Sequence, residues 1–105
     1  MKVRNMTAKE KETIRAIALS VAIQRGDQEI KEVQVLKPTV PALKGLKMFD
    51  VLQVDVNAME ILLPRITVPK LHKSDFAQMA VEDFTELATA AVSFLGKNST
   101  EAEES

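Results

Sequence analysis

Few side chains in this sequence have the types and spacing that chemistry requires. His72 is the one histidine among 105 residues, and there is no cysteine. Because a zinc site needs three or four nitrogen, sulfur or oxygen ligands, His72 is interpreted as a loop residue exposed to solvent. Asp50, Asp55 and Glu60 follow one another at intervals of five residues, and such carboxylates usually face solvent or cap helices. The sequence therefore predicts no catalytic residue, no metal ligand and no cofactor.

Apolar residues at helical spacing are the stronger functional signal. Between Gly45 and Leu71 they recur at steps of three and four, the pattern of an amphipathic helix, and they are Leu46, Phe49, Leu52, Val56, Met59 and Leu63. Methionines in such segments let an apolar face adapt to partners of different shape, although core packing is the simpler interpretation for each one alone. One hairpin and two amphipathic helices are few layers for this much apolar surface. Part of a helical face is therefore expected to contact another chain.

Charge and composition exclude several classes of partner. Residues 1–47 carry ten basic and five acidic residues, a net +5, and residues 48–105 carry four basic and ten acidic residues, a net −6. The simpler interpretation of this division is a pair of solvated faces. It could also help the two halves to pack together or favour head-to-tail self-association into a homo-oligomer. Nucleic acid is a poor candidate, because the pI is near 5.8 and there is no Trp or Tyr to stack on bases. No stretch is typical of a membrane span or a signal peptide.

The first third of the domain predicts a β-hairpin. Ile17, Leu19, Val21 and Ile23 alternate with small residues, which is the period of a half-buried strand. A turn is predicted at residues 25–27, because Gly26 supplies a positive φ. The second strand is predicted to end before Pro38, with Val33 and Val35 on its apolar face and Ile30 on the opposite face. Residues 1–13 are expected to form a flexible arm.

Helix signals follow the hairpin. A short helical turn is predicted after Thr39, then a helix over residues 46–54 and a second helix over residues 56–63 that is capped by Asp55. Pro64 is expected to end the second helix, with an extended connector over residues 65–71. Ser74 is predicted to cap a short helix over residues 75–79.

The last helix is predicted to run from Val81 to Leu95 and to end at Gly96, before a disordered acidic tail at residues 97–105. The predicted fold class is therefore α+β. It consists of a single domain over residues 14–96, in which an N-terminal antiparallel β-hairpin (14–37) is followed by a small bundle of three to four helices (40–95).

Several segments together resemble a known family. They include the strings Leu-Pro-Arg-Ile-Thr-x-Pro and Leu-Gln-x-Asp-Val, and they lie at Val33–Pro38, Leu43–Leu46, Asp50–Val56, Leu62–Leu71 and Phe84–Leu95. The sequence from Gly26 to Leu95 is similar to the tail assembly chaperones of contractile-tailed, Mu-like phages and prophages. Residues 80–83 depart from the Asp-Pro helix start expected for that family.

The resemblance implies a protein of the bacterial host cytoplasm that binds the tape measure protein, keeps it soluble during tail assembly and is absent from the finished virion. A frameshifted longer product is common in such families. The apolar faces expected to divide between the core and that partner are those of Leu52, Val56, Met59, Leu63, Phe84, Leu87 and Ala91. Two alternatives stay open, a structural tail component retained in the virion and a small regulatory adaptor.

Overall fold

The computed structural model describes residues 13–95, so the predicted arm, apart from Thr13, and the predicted acidic tail lie outside the described residues. A three-stranded antiparallel sheet has the order β1-β2-β3. Its strands are β1 (Ile14–Arg25), β2 (Gln28–Leu36) and the short β3 (Thr67–Val68). A 3-10 helix at Pro41–Leu43 precedes four α-helices, which are α1 (Met48–Leu52), α2 (Val56–Ile66), α3 (Lys73–Gln78) and α4 (Val81–Leu95). The predicted α+β class, with a hairpin followed by helices, is confirmed.

The hairpin turn is the one predicted. Gly26 has a φ of +58°, a conformation that costs an L side chain about 1–2 kcal/mol. On β2, Val33 and Val35 are buried, whereas Glu32 and Gln34 are exposed. The sheet therefore presents one face to the core and the other to solvent.

The regular alternation predicted along β1 is wrong in its second half. Ala18 pairs with Glu32, but Ile23 pairs with Ile30, so β1 contains three more residues than β2 between these pairs. This irregularity leaves Val21 about half exposed and places Ile23 and Ile30 in the core. The prediction that Ile30 lies on the face of β2 opposite Val33 is also wrong. The alternation of β2 breaks at the same place, since Lys31 and Glu32 are both exposed between the buried Ile30 and Val33.

A buried carboxylate from α4 holds the irregular segment of β1. Asp83 accepts from the backbone N–H of Ser20 at 2.9 Å, through Oδ1, and from that of Val21 at 3.1 Å, through Oδ2. The Ser20 hydroxyl also bonds to Oδ2, at 3.1 Å. These bonds satisfy backbone donors that β2 cannot reach, and they join the first turn of α4 to the sheet.

The helix boundaries agree in part with the predictions. Asp55 caps α2 as predicted, because its Oδ2 accepts from the Ala58 N–H at 2.9 Å. The predicted end at Pro64 is wrong, since α2 continues to Ile66 and residues 67–68 form β3. Proline removes one backbone donor and disfavours the helical conformation of the preceding residue. Burial of Leu63 and Ile66 on either side of it outweighs this local preference.

The start of α3 also differs from the prediction. The helix begins at Lys73, with the exposed His72 at the N-cap position, and Ser74 makes no cap. Asp75 instead accepts from the backbone N–H of His72 at 2.7 Å. The α4 helix has the predicted range of Val81–Leu95, and the predicted end at Gly96 lies outside the described residues.

The core lies between the inner face of the sheet and helices α2 and α4. Its largest fully buried apolar side chains come from all three, together with Val51 of α1 and Leu71 of the connector, and are Ile23, Val33, Val35, Val51, Met59, Leu62, Leu63, Leu71 and Leu87. This arrangement leaves the outer sides of the 3-10 helix, α1 and the start of α2 facing solvent.

Candidate partner-binding surface

Four of the seven residues predicted to contact a partner or the core lie inside the core. Met59 and Leu63 of α2 and Leu87 and Ala91 of α4 have no exposed surface. They pack with the inner face of the sheet in one cluster of buried residues. None of the four is accessible to another chain in this structure.

The other three predicted residues are accessible to different extents. Leu52 is 49% exposed and Val56 is 55% exposed. Phe84 is half-buried and makes an edge-to-face contact with Phe76, with 6.0 Å between the ring centroids. Leu52 and Val56 are therefore the predicted residues that remain most available for binding.

The structure adds exposed apolar residues to these two, and we call the set the 40–56 apolar surface. Its members are Val40, Met48, Phe49, Leu52 and Val56, and all are exposed in residues 13–95. Phe49 is 68% exposed and Val40 is 81% exposed. Phe49 belongs to the apolar stripe that spacing identified, although it was not among the seven residues assigned to the core and the partner. Val40 stands before a proline and carries no sequence signal of its own.

The junction between α1 and α2 positions the centre of this surface. Val54 has a φ of 59°, a left-handed conformation that is rare for a β-branched residue. The N–H of Val54 donates to Val51 O at 3.0 Å and that of Asp55 donates to Asp50 O at 2.9 Å, which is the hydrogen-bond pattern of a Schellman motif. Asp55 then caps α2, so one residue ends the first helix and begins the second. Leu52 and Val56 stand on the two sides of this junction.

An arginine of α2 supports the loop beside the junction. Arg65 Nη1 donates to the carbonyl oxygens of Ala42 at 2.8 Å and of Lys44 at 2.9 Å. Gly45 has a φ of +85°, which allows the loop to turn toward α1. The loop forms an open groove of about 750 Å³, lined by Val40, Pro41, Leu43, Lys44, Gly45, Leu46 and Met48. The groove continues onto α1 through Met48, and its mainly apolar lining includes one lysine, Lys44.

The buried carboxylates lie away from this surface and have structural partners. Burial raises the pKa of Asp83, but hydrogen bonds from the backbone of Ser20 and Val21 and from the Ser20 hydroxyl outweigh it, so the pKa is lowered. Burial also raises the pKa of Asp75, but Arg25, which donates to both carboxylate oxygens, and the His72 N–H together lower it. Both carboxylates are therefore charged groups that tie helices to β1.

Among residues 13–95, no group of three or more His, Asp and Glu side chains is placed to hold a metal ion. None of the helices described in that range has both the length and the apolar character needed to cross a membrane. The 40–56 apolar surface is apolar and open, which is the character of surfaces that mark interaction sites.

Comparison with known proteins identifies the family. The family model described as "Phage tail assembly chaperone proteins, E, or 41 or 14" matches residues 16–96. The chain belongs to this family of phage tail assembly chaperones.

Two curated relatives come from Escherichia phage P2. Tail assembly protein E is 35% identical over 83 residues, which cover 79% of this chain and 91% of that protein. Tail assembly protein E' is 34% identical over 79 residues, which cover 75% of this chain and 56% of that protein. This chain therefore spans little more than half of the longer relative. No solved structure matches the chain significantly.

Proposed function

We propose that this protein is a chaperone that binds the tape measure protein in the cytoplasm of the bacterial host and keeps it soluble while the phage tail is assembled. It does so without catalysis. The observation that carries the proposal is the 40–56 apolar surface, which exposes Phe49, Leu52 and Val56 in a member of a tail assembly family.

The geometry of this surface suits a helical partner. An amphipathic helix presents apolar side chains at steps of three, four and seven residues, and such helices bind in shallow apolar grooves. Phe49 and Leu52 project from one short helix. Beside them lies the groove formed by residues 40–48, which we call the 40–48 loop. Lys44, which lines the groove, and the exposed Lys47 at the start of α1 attract acidic residues that flank the apolar stripe of the partner.

The experiment is co-expression of this chain with the tape measure protein of the same phage, scored by the amount of soluble complex. Val56→Asp places a charge in the surface, and it is compatible with folding because a carboxylate is favourable in the first turn of a helix. Burial of a half-exposed apolar side chain in the interface contributes about 1 kcal/mol to the binding free energy. Replacing that side chain by aspartate loses this contribution and adds the cost of burying a charge. We therefore expect binding at least about tenfold weaker.

Val81→Asp is the matched control. Val81 is also an exposed valine at the first position of a helix, but it lies on α4, which contributes no residue to the 40–56 apolar surface. This variant should solubilise the tape measure protein as the unsubstituted chain does. If the Val56→Asp and Leu52→Lys variants both solubilised the tape measure protein as well as Val81→Asp does, the binding site would have to lie elsewhere.

The alternative of a structural tail component is separated by a second measurement. Mass spectrometry of purified virions should detect the tape measure protein without this chain if the chain is released during assembly. A stoichiometric amount of the chain in finished particles would favour the structural role instead.

A further inference from the structure

The two halves of the outer edge of β1 differ in whether side chains of other elements hydrogen-bond to them. β1 is an edge strand, since the sheet order is β1-β2-β3. In its second half the N–H groups of Ser20 and Val21 bond to Asp83. The N–H of Gln24 donates to the Gln78 side chain at 2.9 Å, and Gln24 O accepts from it at 3.0 Å. This half of the edge is therefore capped by side chains.

The first half of the edge has no such caps among residues 13–95. The Lys37 N–H donates to Thr13 O at 2.8 Å, and bonded and non-bonded pairs alternate along an antiparallel ladder. Thr13 and Lys37 therefore form a hydrogen-bonded pair, and the pairs Ile14–Leu36 and Ala16–Gln34 are non-bonded. As a result, the backbone N–H and C=O groups of Ile14, Ala16 and Ala18 point away from β2. No hydrogen bond from another described element reaches these three residues.

The side chains of this segment do not obstruct pairing. Proteins usually protect an exposed edge with charged side chains, proline or a bulge, and the segment Ile14–Ala18 contains no lysine, no proline and no bulge. Its one charged side chain, Arg15, lies over the Phe94 ring. Ala16 and Ala18 are exposed and small. An added strand could therefore approach along the whole segment.

We propose that the segment Ile14–Ala18 pairs antiparallel with the same segment of a second copy of this chain, with Ala16 opposite Ala16 across a two-fold axis. The two three-stranded sheets then form one continuous six-stranded sheet. The pairing is isologous, as in most homodimers. It is independent of the 40–56 apolar surface, which lies on other elements and stays available for a partner.

Charge complementarity selects a second copy over an unrelated strand. An open groove of about 380 Å³ lies between this edge and α4, and its lining includes the chain's own Arg15 together with Ile17, Glu86 and Thr89. Glu86 is the acidic residue among those that line it. In the two-fold pairing, Arg15 of the second copy lies opposite Ile17 and its side chain enters this groove beside Glu86. Arg15 already lies on the α4 side of the sheet, 5.0 Å from the Phe94 ring centroid of its own chain.

Disulfide trapping tests the register directly, because the chain has no cysteine of its own. In the proposed pairing the two Ala16 Cα atoms are about 5.5 Å apart, within the range that a disulfide spans. The two Ala18 Cα atoms are separated by four residues along the strands, about 13 Å. Under mild oxidation we expect Ala16→Cys to form covalent dimers and Ala18→Cys, the matched control, to form few. Equal cross-linking of the two variants would overturn the proposed register.

Light scattering of the full chain tests the pairing without cross-linking. The unsubstituted protein is expected to have twice the mass of one chain. Ala16→Pro removes an N–H that β2 does not use, so it should give a folded monomer by circular dichroism, whereas Ala16→Thr keeps that N–H and should stay dimeric. A monomeric unsubstituted protein, as expected if residues 1–12 or another protein occupied the edge, would refute the proposal. The outcome is scored separately from tape measure binding, so the two proposals can fail independently.

A charge reversal tests the choice of partner. Glu86→Lys should raise the dimer dissociation constant several-fold, because the groove, which the chain's own Arg15 already lines, would then offer a cation instead of a carboxylate to Arg15 of the second copy. Glu82→Lys makes the same change of net charge on an exposed residue of the same helix that does not line the groove. Equal effects of the two substitutions would contradict the contact between Arg15 and Glu86.

Discussion

Asp83→Ala is the substitution for which the structure makes the sharpest stability prediction. The carboxylate is buried and accepts from the backbone of Ser20 and Val21 and from the Ser20 hydroxyl. Alanine removes all of these acceptors at once. The irregular segment of β1 then loses its attachment to the first turn of α4, although the backbone of α4 itself can remain helical.

The expected magnitude follows from the number and environment of these bonds. A hydrogen bond to a charged group is worth about 1.5–3 kcal/mol, and contributions that share one acceptor are not additive. Ser20 is exposed, so water can replace part of what is lost. We therefore expect the free energy of unfolding to fall by about 2–3 kcal/mol, at the level of one strong bond. For a domain of this size that corresponds to a Tm lower by about 10–20 °C.

Thermal unfolding followed by circular dichroism measures this loss, and two variants control it. Asp83→Asn keeps one acceptor oxygen at the same place and should lose about half as much. Glu82→Ala removes a neighbouring exposed carboxylate and should change the free energy of unfolding by less than about 0.5 kcal/mol. If Asp83→Ala were no more destabilising than Glu82→Ala, the attachment described here would contribute nothing to stability.

Three further predictions concern the core, the loop and pH. Leu63→Ala should lower the free energy of unfolding, measured in urea, by about 2–5 kcal/mol because it opens a cavity. The same change at the half-exposed Leu52 should lower it much less, and equal losses would contradict the difference in burial between the two residues. Arg65→Met removes two bonds to the 40–48 loop, so amide exchange there should become faster while that of α4 is unchanged. The folded pKa values of Asp75 and Asp83 are lowered. Their contribution to the free energy of unfolding should therefore be fully present above the usual aspartate pKa, near 4, and should be lost as the pH falls through the lower pKa values of the folded protein. A free energy of unfolding that does not change between pH 6 and 2 would exclude this linkage.

Local signals in the sequence were sufficient for much of the fold. A glycine between two alternating segments marked the hairpin turn at Gly26, and a carboxylate three residues before Ala58 marked the start of α2 at Asp55. The range of α4 followed from its acidic first turn and its apolar spacing. These features depend on neighbours within a few residues, so they can be read without the tertiary structure.

The candidate surface was predictable only in part. Helical spacing identified Leu52 and Val56, but it placed Met59 and Leu63 in the same stripe. The stripe is interrupted at Val54, whose left-handed backbone turns α2 relative to α1. No glycine signals that turn. Spacing along the chain therefore could not show that one part of the stripe enters the core while the other stays exposed.

The sequence by itself thus determined the fold class, the hairpin, the cap at Asp55 and the existence of apolar faces, because each follows from local preference or periodicity. Only the tertiary structure decided the continuation of α2 through Pro64, the bulge in β1 held by Asp83 and the exposure of each apolar residue. These depend on contacts between residues far apart in the chain, such as the 63 positions that separate Ser20 from Asp83. At those positions the free energy of packing and of buried hydrogen bonds exceeds the local preference of the backbone.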